Sequence, residues 1–251
     1  MNSELPLIEP IWPVQAGVRA FCTTRIGGVS LPPWDSLNLG DHVGDRRGDV
    51  LENRSQLARQ AGLGPGSLAW LSQIHGTRVV EVARGNLNRL PEADASFTRE
   101  LGIACVILTA DCLPVILADR NGRVVGAAHA GWRSLCGGVL ENLVEAMAVQ
   151  PEELLAWMGP AIGPGQFEVG PEVRDAFLAV DPRASSAFAE AGARPGHFMA
   201  DIYQLAYQRL QNAGVNAVHG GGFCTVTDAA RFYSYRRDRQ TGRMATLVWL
   251  S

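Results

Sequence analysis

A chain of 251 residues, 47% hydrophobic and 19% charged, can bury a large core and is too apolar to remain disordered. Its formal net charge of -3 and pI near 6.0 exclude the basic excess of a dedicated nucleic-acid surface. The opening residues MNSELPLIEP lack a basic stretch leading into an apolar one, the longest apolar tract is interrupted by Asp111, and the five cysteines form no CxxC pair. A reduced, cytoplasmic protein with no membrane span is expected.

Along the chain, residues 18–23 read as a strand that runs into Arg25-Ile26-Gly27-Gly28, where paired glycines allow close backbone approach to a ligand or a plain turn. A polar, glycine-punctuated loop follows from Leu37 through Asn38, Gly40 and His42. Asp49 is placed to cap a helix whose apolar residues Val50, Leu51, Leu57 and Ala58 recur at helical spacing until Gly62. Gln73-Ile74-His75-Gly76 precedes the strand-like 78–82, and 85–93 is a loop before a short strand at 94–98. Further strands are expected near 103–109, 113–118 and 123–128. From Ser134 an amphipathic helix is predicted to continue until just before Pro151. A buried strand at 154–158 leads into the Gly- and Pro-rich loop 159–165. Helices are expected at 171–180 and 201–213, the second capped by Asp201 and closed by Gly214. Strands at 215–218 and 244–250 complete the chain. No repeat or linker divides it, so the fold class is α/β (α+β-like), one domain over residues 1–251 with a mixed sheet flanked by helices.

The chemistry concentrates in three polar islands within apolar surroundings: His75, the trio Ala110-Asp111-Cys112, and His129 running directly into Gly131-Trp132-Arg133-Ser134. Burying an acid, a thiol and an imidazole costs free energy unless they are paired, hydrogen-bonded or bound to metal. Two His and one Cys suit zinc or copper, and three ligands leave one coordination position open. The spacing forms no local ligand motif, so a Cys112/His129 hydrolase dyad and purely structural roles stand beside the metal reading. Cys105 and Cys136 read as small hydrophobes, and His42 and His219 as satisfied structural residues.

The motifs SQIHG, ADASFT, TADCLPVILAD, AAHAGWRS, GPAIGP, FYSYRRD and TGRMATLVWL, with FCTTRIGGVS and SLNLGDHVGD near the start, closely resemble the YfiH-like family. That family is also known as the laccase-domain or polyphenol-oxidase family, and as multi-substrate purine nucleoside phosphorylases. The resemblance spans nearly the entire chain. It implies one mixed α/β domain of the CNF-toxin/YfiH-like cysteine-hydrolase fold, and a zinc site whose ligands fall on His75, Cys112 and His129. It further implies phosphorolysis of adenosine, inosine and methylthioadenosine, and deamination of adenosine. One bacterial branch is linked to peptidoglycan editing, which is an alternative role. Purine nucleosides and phosphate are thus the expected partners, with a monomer or homodimer as the expected state. Copper is the less favoured metal. A multicopper laccase needs many imidazoles, and a chain with five His has three left once two serve the site.

Several residues are candidates for handling the substrate. Asp111 can relay protons or orient a His ligand. Arg133, Gly131 and Ser134, at an expected helix N-terminus, can hold phosphate. Arg25, Asn38 and Gln73 are further candidate contacts, as are Arg236, Arg237 and Arg243, although a solvated surface role is the default for any one arginine.

Overall fold

Three runs, Ala104–Thr109, Leu113–Asp119 and Val125–Ala130, are buried at every position, so each packs on both faces. The computed structural model describes residues 4–190 and 192–251 and shows how this double burial arises. Odd-numbered Cys105 and Ile107 face the same apolar cluster as even-numbered Ile116 and Ala118, while Ala104, Val106 and Leu108 face a second cluster and Leu113, Val115 and Leu117 a third. A side-chain period of 2 on strands of two stacked sheets produces this partition.

The first sheet orders its strands Leu7–Ile8, Val18–Thr23, Met244–Leu250, Ala104–Thr109 and Leu68–Ala69. Its pairings are antiparallel except the last. The second runs Ala217–Gly220, Leu154–Met158, Leu113–Asp119, Val125–Ala130, Ala95–Thr98 and Val79–Glu81, parallel at both ends and antiparallel between. Cys22, Ile107 and Val248 meet Ile116, Val125 and Trp157 between the sheets. The helix Arg47–Ala61 covers the outer face of the first sheet through Leu57 and Ala58. Helices Val139–Met147, Pro171–Val180 and Ile202–Asn212 cover the second. The result is four layers, α/β/β/α, and the expected mixed α/β architecture.

Several local expectations are corrected. The helix predicted from Ser134 to Pro151 is two helices, Trp132–Gly137 and Val139–Met147, because Gly138 takes φ 101°, a left-handed conformation that ends one and starts the other. Asp49 does not cap its helix; Arg46 occupies that position and Asp49 lies in the first turn. Asp201 does cap, accepting from Tyr203 N and Gln204 N. The strand expected at 215–218 forms two residues later, at Ala217–Gly220. A small sheet of Glu168–Val169, Phe198–Ala200 and Phe188–Ala189 has no counterpart in the sequence pattern. Among the described residues no helix is long and apolar enough to cross a membrane.

Candidate metal centre

Residues 110–112 carry the chain from the end of Ala104–Thr109 in one sheet to the start of Leu113–Asp119 in the other. Asp111 makes the crossing at φ 89°. Register then assembles the site: Leu113 pairs with Ala130 and Pro114 with His129, which brings Cys112 beside His129. His75 enters from a loop, itself at φ 60°. Its Nε2 lies 4.0 Å from Cys112 Sγ, and its ring meets that of His129 edge-on with centroids 4.8 Å apart. One donor atom from each of His75, Cys112 and His129 lies within 4.8 Å of the others, the one such group of three His, Cys, Asp or Glu among the described residues.

Asp94 holds this arrangement together. It is fully buried, and its carboxylate accepts from Ile74 N (3.2 Å), His75 N (3.0 Å), Gly76 N (2.6 Å) and His129 Nδ1 (2.8 Å). One acid thereby fixes the loop of one imidazole and the ring of the other. With Nδ1–H committed to Asp94, His129 presents Nε2 to the site, the arrangement found behind many metal-ligating histidines. Burial raises the Asp94 carboxyl, but the hydrogen bonds from His129, Gly76 and His75 outweigh it and leave the group below its ordinary value.

The electrostatics are those of an ion pair. Burial pushes the Cys112 thiol up, yet the charge and hydrogen bond of His129, joined by His75, bring it down from 9.0 to about 6. Burial pulls His129 down, and the Cys112 charge with the Asp94 hydrogen bond lifts it to about 9. A thiolate is therefore present at neutral pH, the form in which Cys binds metal or attacks a substrate.

The residues fit a metal. Two imidazoles and a thiolate make a borderline-soft donor set. Gly131 packs over them so closely that a Cβ there would sit 2.9 Å from Cys112 Sγ and 3.3 Å from His75 Cδ2. His75 is exposed and His129 is 3% exposed, so the cluster opens to solvent on the His75 side.

The other expected contacts divide. Asp111 does not orient a histidine: its carboxylate accepts from Thr225 Oγ1 and Arg236 N, both at 2.6 Å, and Asp94 takes that role. Asn38 is fully buried and all four of its amide hydrogen bonds are used, to Gly40 O, Asp45 Oδ2, Gly40 N and Arg243 N, so it builds the loop rather than meeting a substrate. Gln73 brackets the main chain of Leu108, donating and accepting at 2.8 Å. Arg25 is tied to Asp35 and to Ala229 O. Arg236 and Arg237 spend their guanidinium groups largely on main-chain carbonyls. Ser134 Oγ is buried without a partner among the described residues, and Arg133 is exposed, lying over the Trp132 ring at 4.3 Å. The helix behind them is only six residues long, which removes much of the expected dipole. His42 pairs with Asp41 at 3.6 Å, whereas His219 Nε2 is buried with no partner among the described residues, unlike the satisfied residue expected. Cys105 is fully buried between the sheets and Cys136 packs at the edge of the helical cluster, both as small hydrophobes.

The profile of the multi-copper polyphenol oxidoreductase laccase family matches residues 19–251. The chain belongs to this family, the YfiH-like proteins. It is 56% identical over 243 residues to a purine nucleoside phosphorylase of Pseudomonas aeruginosa, covering 97% of this chain and 98% of that one. With the purine nucleoside phosphorylase YfiH of Escherichia coli K12 it shares 54% over 244 residues, with the same coverage. Among solved structures, the Neisseria meningitidis protein NMB0706 superposes with a TM-score of 0.93 at 48% identity, covering 98% of this chain and 99% of that one. YlmD from Geobacillus stearothermophilus gives 0.89 at 32%, covering 94% and 92%. The fold and the recognised motifs thus coincide in one family, and the relatives' names make an enzyme the supported class.

Proposed function

We propose that the protein is a zinc-dependent purine nucleoside phosphorylase acting on adenosine, inosine and methylthioadenosine, with adenosine deaminase activity, in the cytoplasm. The observation that carries the reading is the convergence of His75, Cys112 and His129 with Asp94 behind the buried imidazole, in a chain more than half identical to proteins named purine nucleoside phosphorylases.

In phosphorolysis the bond between ribose C1′ and the base nitrogen breaks, its electron pair leaves with the base, and a phosphate oxygen bonds to C1′. The base takes up a proton. His75, Cys112 and His129 would hold the metal, which when bound supplies Lewis acidity toward a substrate oxygen or nitrogen. Asp94 keeps His129 in one tautomer and orientation. Asp111 anchors Thr225 and the main chain of Arg236, which fixes the start of the 235–238 turn beside the Asp111-Cys112 crossing and leaves the half-exposed Tyr235 ring available to stack on a base. Zinc is the proposed ion, and the ligand count excludes only a copper centre of the multicopper type. A multicopper oxidase needs clustered imidazoles, and His42, His197 and His219 form no such group among the described residues.

A second reading draws on the same geometry. Asp94, His129 and Cys112 are ordered as acid, base and nucleophile, and a thiol near 6 is activated without metal. Chelation separates the two. Under the metal reading, protein stripped by chelator loses nucleoside cleavage, zinc restores it, and Cys112→Ala holds less than about a tenth of wild-type zinc by elemental analysis. Full activity in the stripped protein would favour the thiol chemistry.

A further inference from the structure

All 22 basic residues of this chain are arginines. Arg133 is exposed over the Trp132 ring and Arg236 lies over the Phe167 ring with Nη1 on two main-chain carbonyls, whereas Arg243 is set apart by where its chain runs. The antiparallel register places Met244 opposite Thr109, so Arg243 stands across from Ala110, at the border of Asp111-Cys112. Its main chain is fixed on both sides, its N donating to Asn38 Oδ1 at 2.9 Å and its O accepting from Leu39 N at 3.2 Å. Its stem lies against Gly40, where a Cβ would come within 2.8 Å of Arg243 Cγ. The fully used amide of Asn38 and the bare Gly40 thus both serve to seat this side chain.

The guanidinium is less satisfied than its seat. Nη1 donates to Thr241 O and Gly242 O at 3.0 and 2.9 Å, while Nε and Nη2 have no protein acceptor, and no carboxylate lies within 4.0 Å, among the described residues. The side chain is partly buried. Burial lowers its pKa, and the negative groups near enough to oppose this are Cys112, Asp111 and Tyr235. Asp111 is already held by Thr225 and Arg236, and a metal on Cys112 would neutralise the thiolate. A fixed, partly desolvated cation with open donors beside a metal centre is suited to a dianionic oxyanion, which accepts two parallel N–H bonds from one guanidinium.

We propose that Arg243 is the anion subsite of the His75–Cys112–His129 centre and holds the inorganic phosphate used in nucleoside cleavage, an inference that rests on the phosphorylase reading for the identity of the anion. It places the phosphate at Arg243 rather than at Arg133.

Calorimetric titration of the metal-loaded protein with inorganic phosphate, without nucleoside, tests it. Wild type binds, Arg243→Gln binds at least about 10-fold more weakly, and Arg133→Ala stays within about 2-fold, with metal content and melting temperature of both variants unchanged. Equal affinity in a folded, metal-loaded Arg243→Gln, or no binding by wild type, overturns the proposal. Should Arg243→Gln fail to fold, Arg243→Lys decides: it keeps charge and stem without the fork and is expected to bind at least about 3-fold more weakly, while wild-type affinity in it overturns the subsite. The two readings fail separately. Phosphate binding lost in Arg243→Gln supports the subsite even if wild type releases no base from inosine, which would remove the phosphorylase reading alone. Phosphate-dependent base release with an unchanged phosphate KM in Arg243→Gln removes the subsite alone.

Discussion

Asp94 is the residue on which the centre depends and the one the sequence hides. An acid just before a short strand reads as a turn or edge residue, and nothing local reveals that four donors converge on it from 18 to 35 positions away. Cys112, His75 and His129 were legible because each interrupts an apolar run with a group that burial penalises. Asn38 and Arg25 read as contacts from the sequence because polar loop residues resemble binding residues until their partners are counted. Asp94→Asn keeps the shape but removes the charge and turns an NH2 group toward two groups that are themselves donors. It should weaken metal affinity about 10–100-fold, measured by competition with a chromophoric chelator; an unchanged affinity would make Asp94 a folding residue only. Cys112 gives a second expectation. In metal-free protein the rate of alkylation by iodoacetamide follows the thiolate fraction, so it should rise through a midpoint near 6 and level off above it. His129→Ala removes the stabilising imidazolium and should move that midpoint upward. A wild-type midpoint at the ordinary 9.0 would contradict the ion pair.

At the scale of elements, long strands and capped helices could be read from the chain and the short pieces could not. The strands at 104–109, 113–119 and 244–250 carry enough consecutive apolar residues to declare themselves. Two-residue strands such as Glu168–Val169 carry no periodicity at all. The helix break is subtler. Leu135, Val139, Leu140, Leu143 and Met147 keep helical spacing across Gly138, so the pattern reads as one helix although the backbone turns left-handed there. Gly138→Ala tests that reading. A side chain at φ 101° is strained, costing about 1–2 kcal/mol, and at about 2–4 °C per kcal/mol for a chain of this size the melting temperature should fall by several degrees. A stabilised Gly138→Ala protein would mean that the two helices fuse without penalty.

For the whole molecule, the decisive feature is the seam between the sheets. Residues 110–112 cross it, Met244–Leu250 returns beside it, and the 220–238 segment closes over Asp111 through Thr225 and Arg236. Sheet order escaped the sequence because it depends on pairings between distant segments, as when Val18–Thr23 joins Met244–Leu250, and no local signal encodes such a pairing. The site is a product of that topology, since its ligands come from three separate segments. Under the proposed function, this seam carries out phosphate-dependent cleavage of purine nucleosides. The most direct measurement is product analysis of inosine incubated with the zinc-loaded protein, with and without inorganic phosphate. Hypoxanthine and ribose 1-phosphate are expected in equal amounts when phosphate is present, and no base release when it is omitted. Hypoxanthine released at the same rate without phosphate, together with free ribose, would contradict that function.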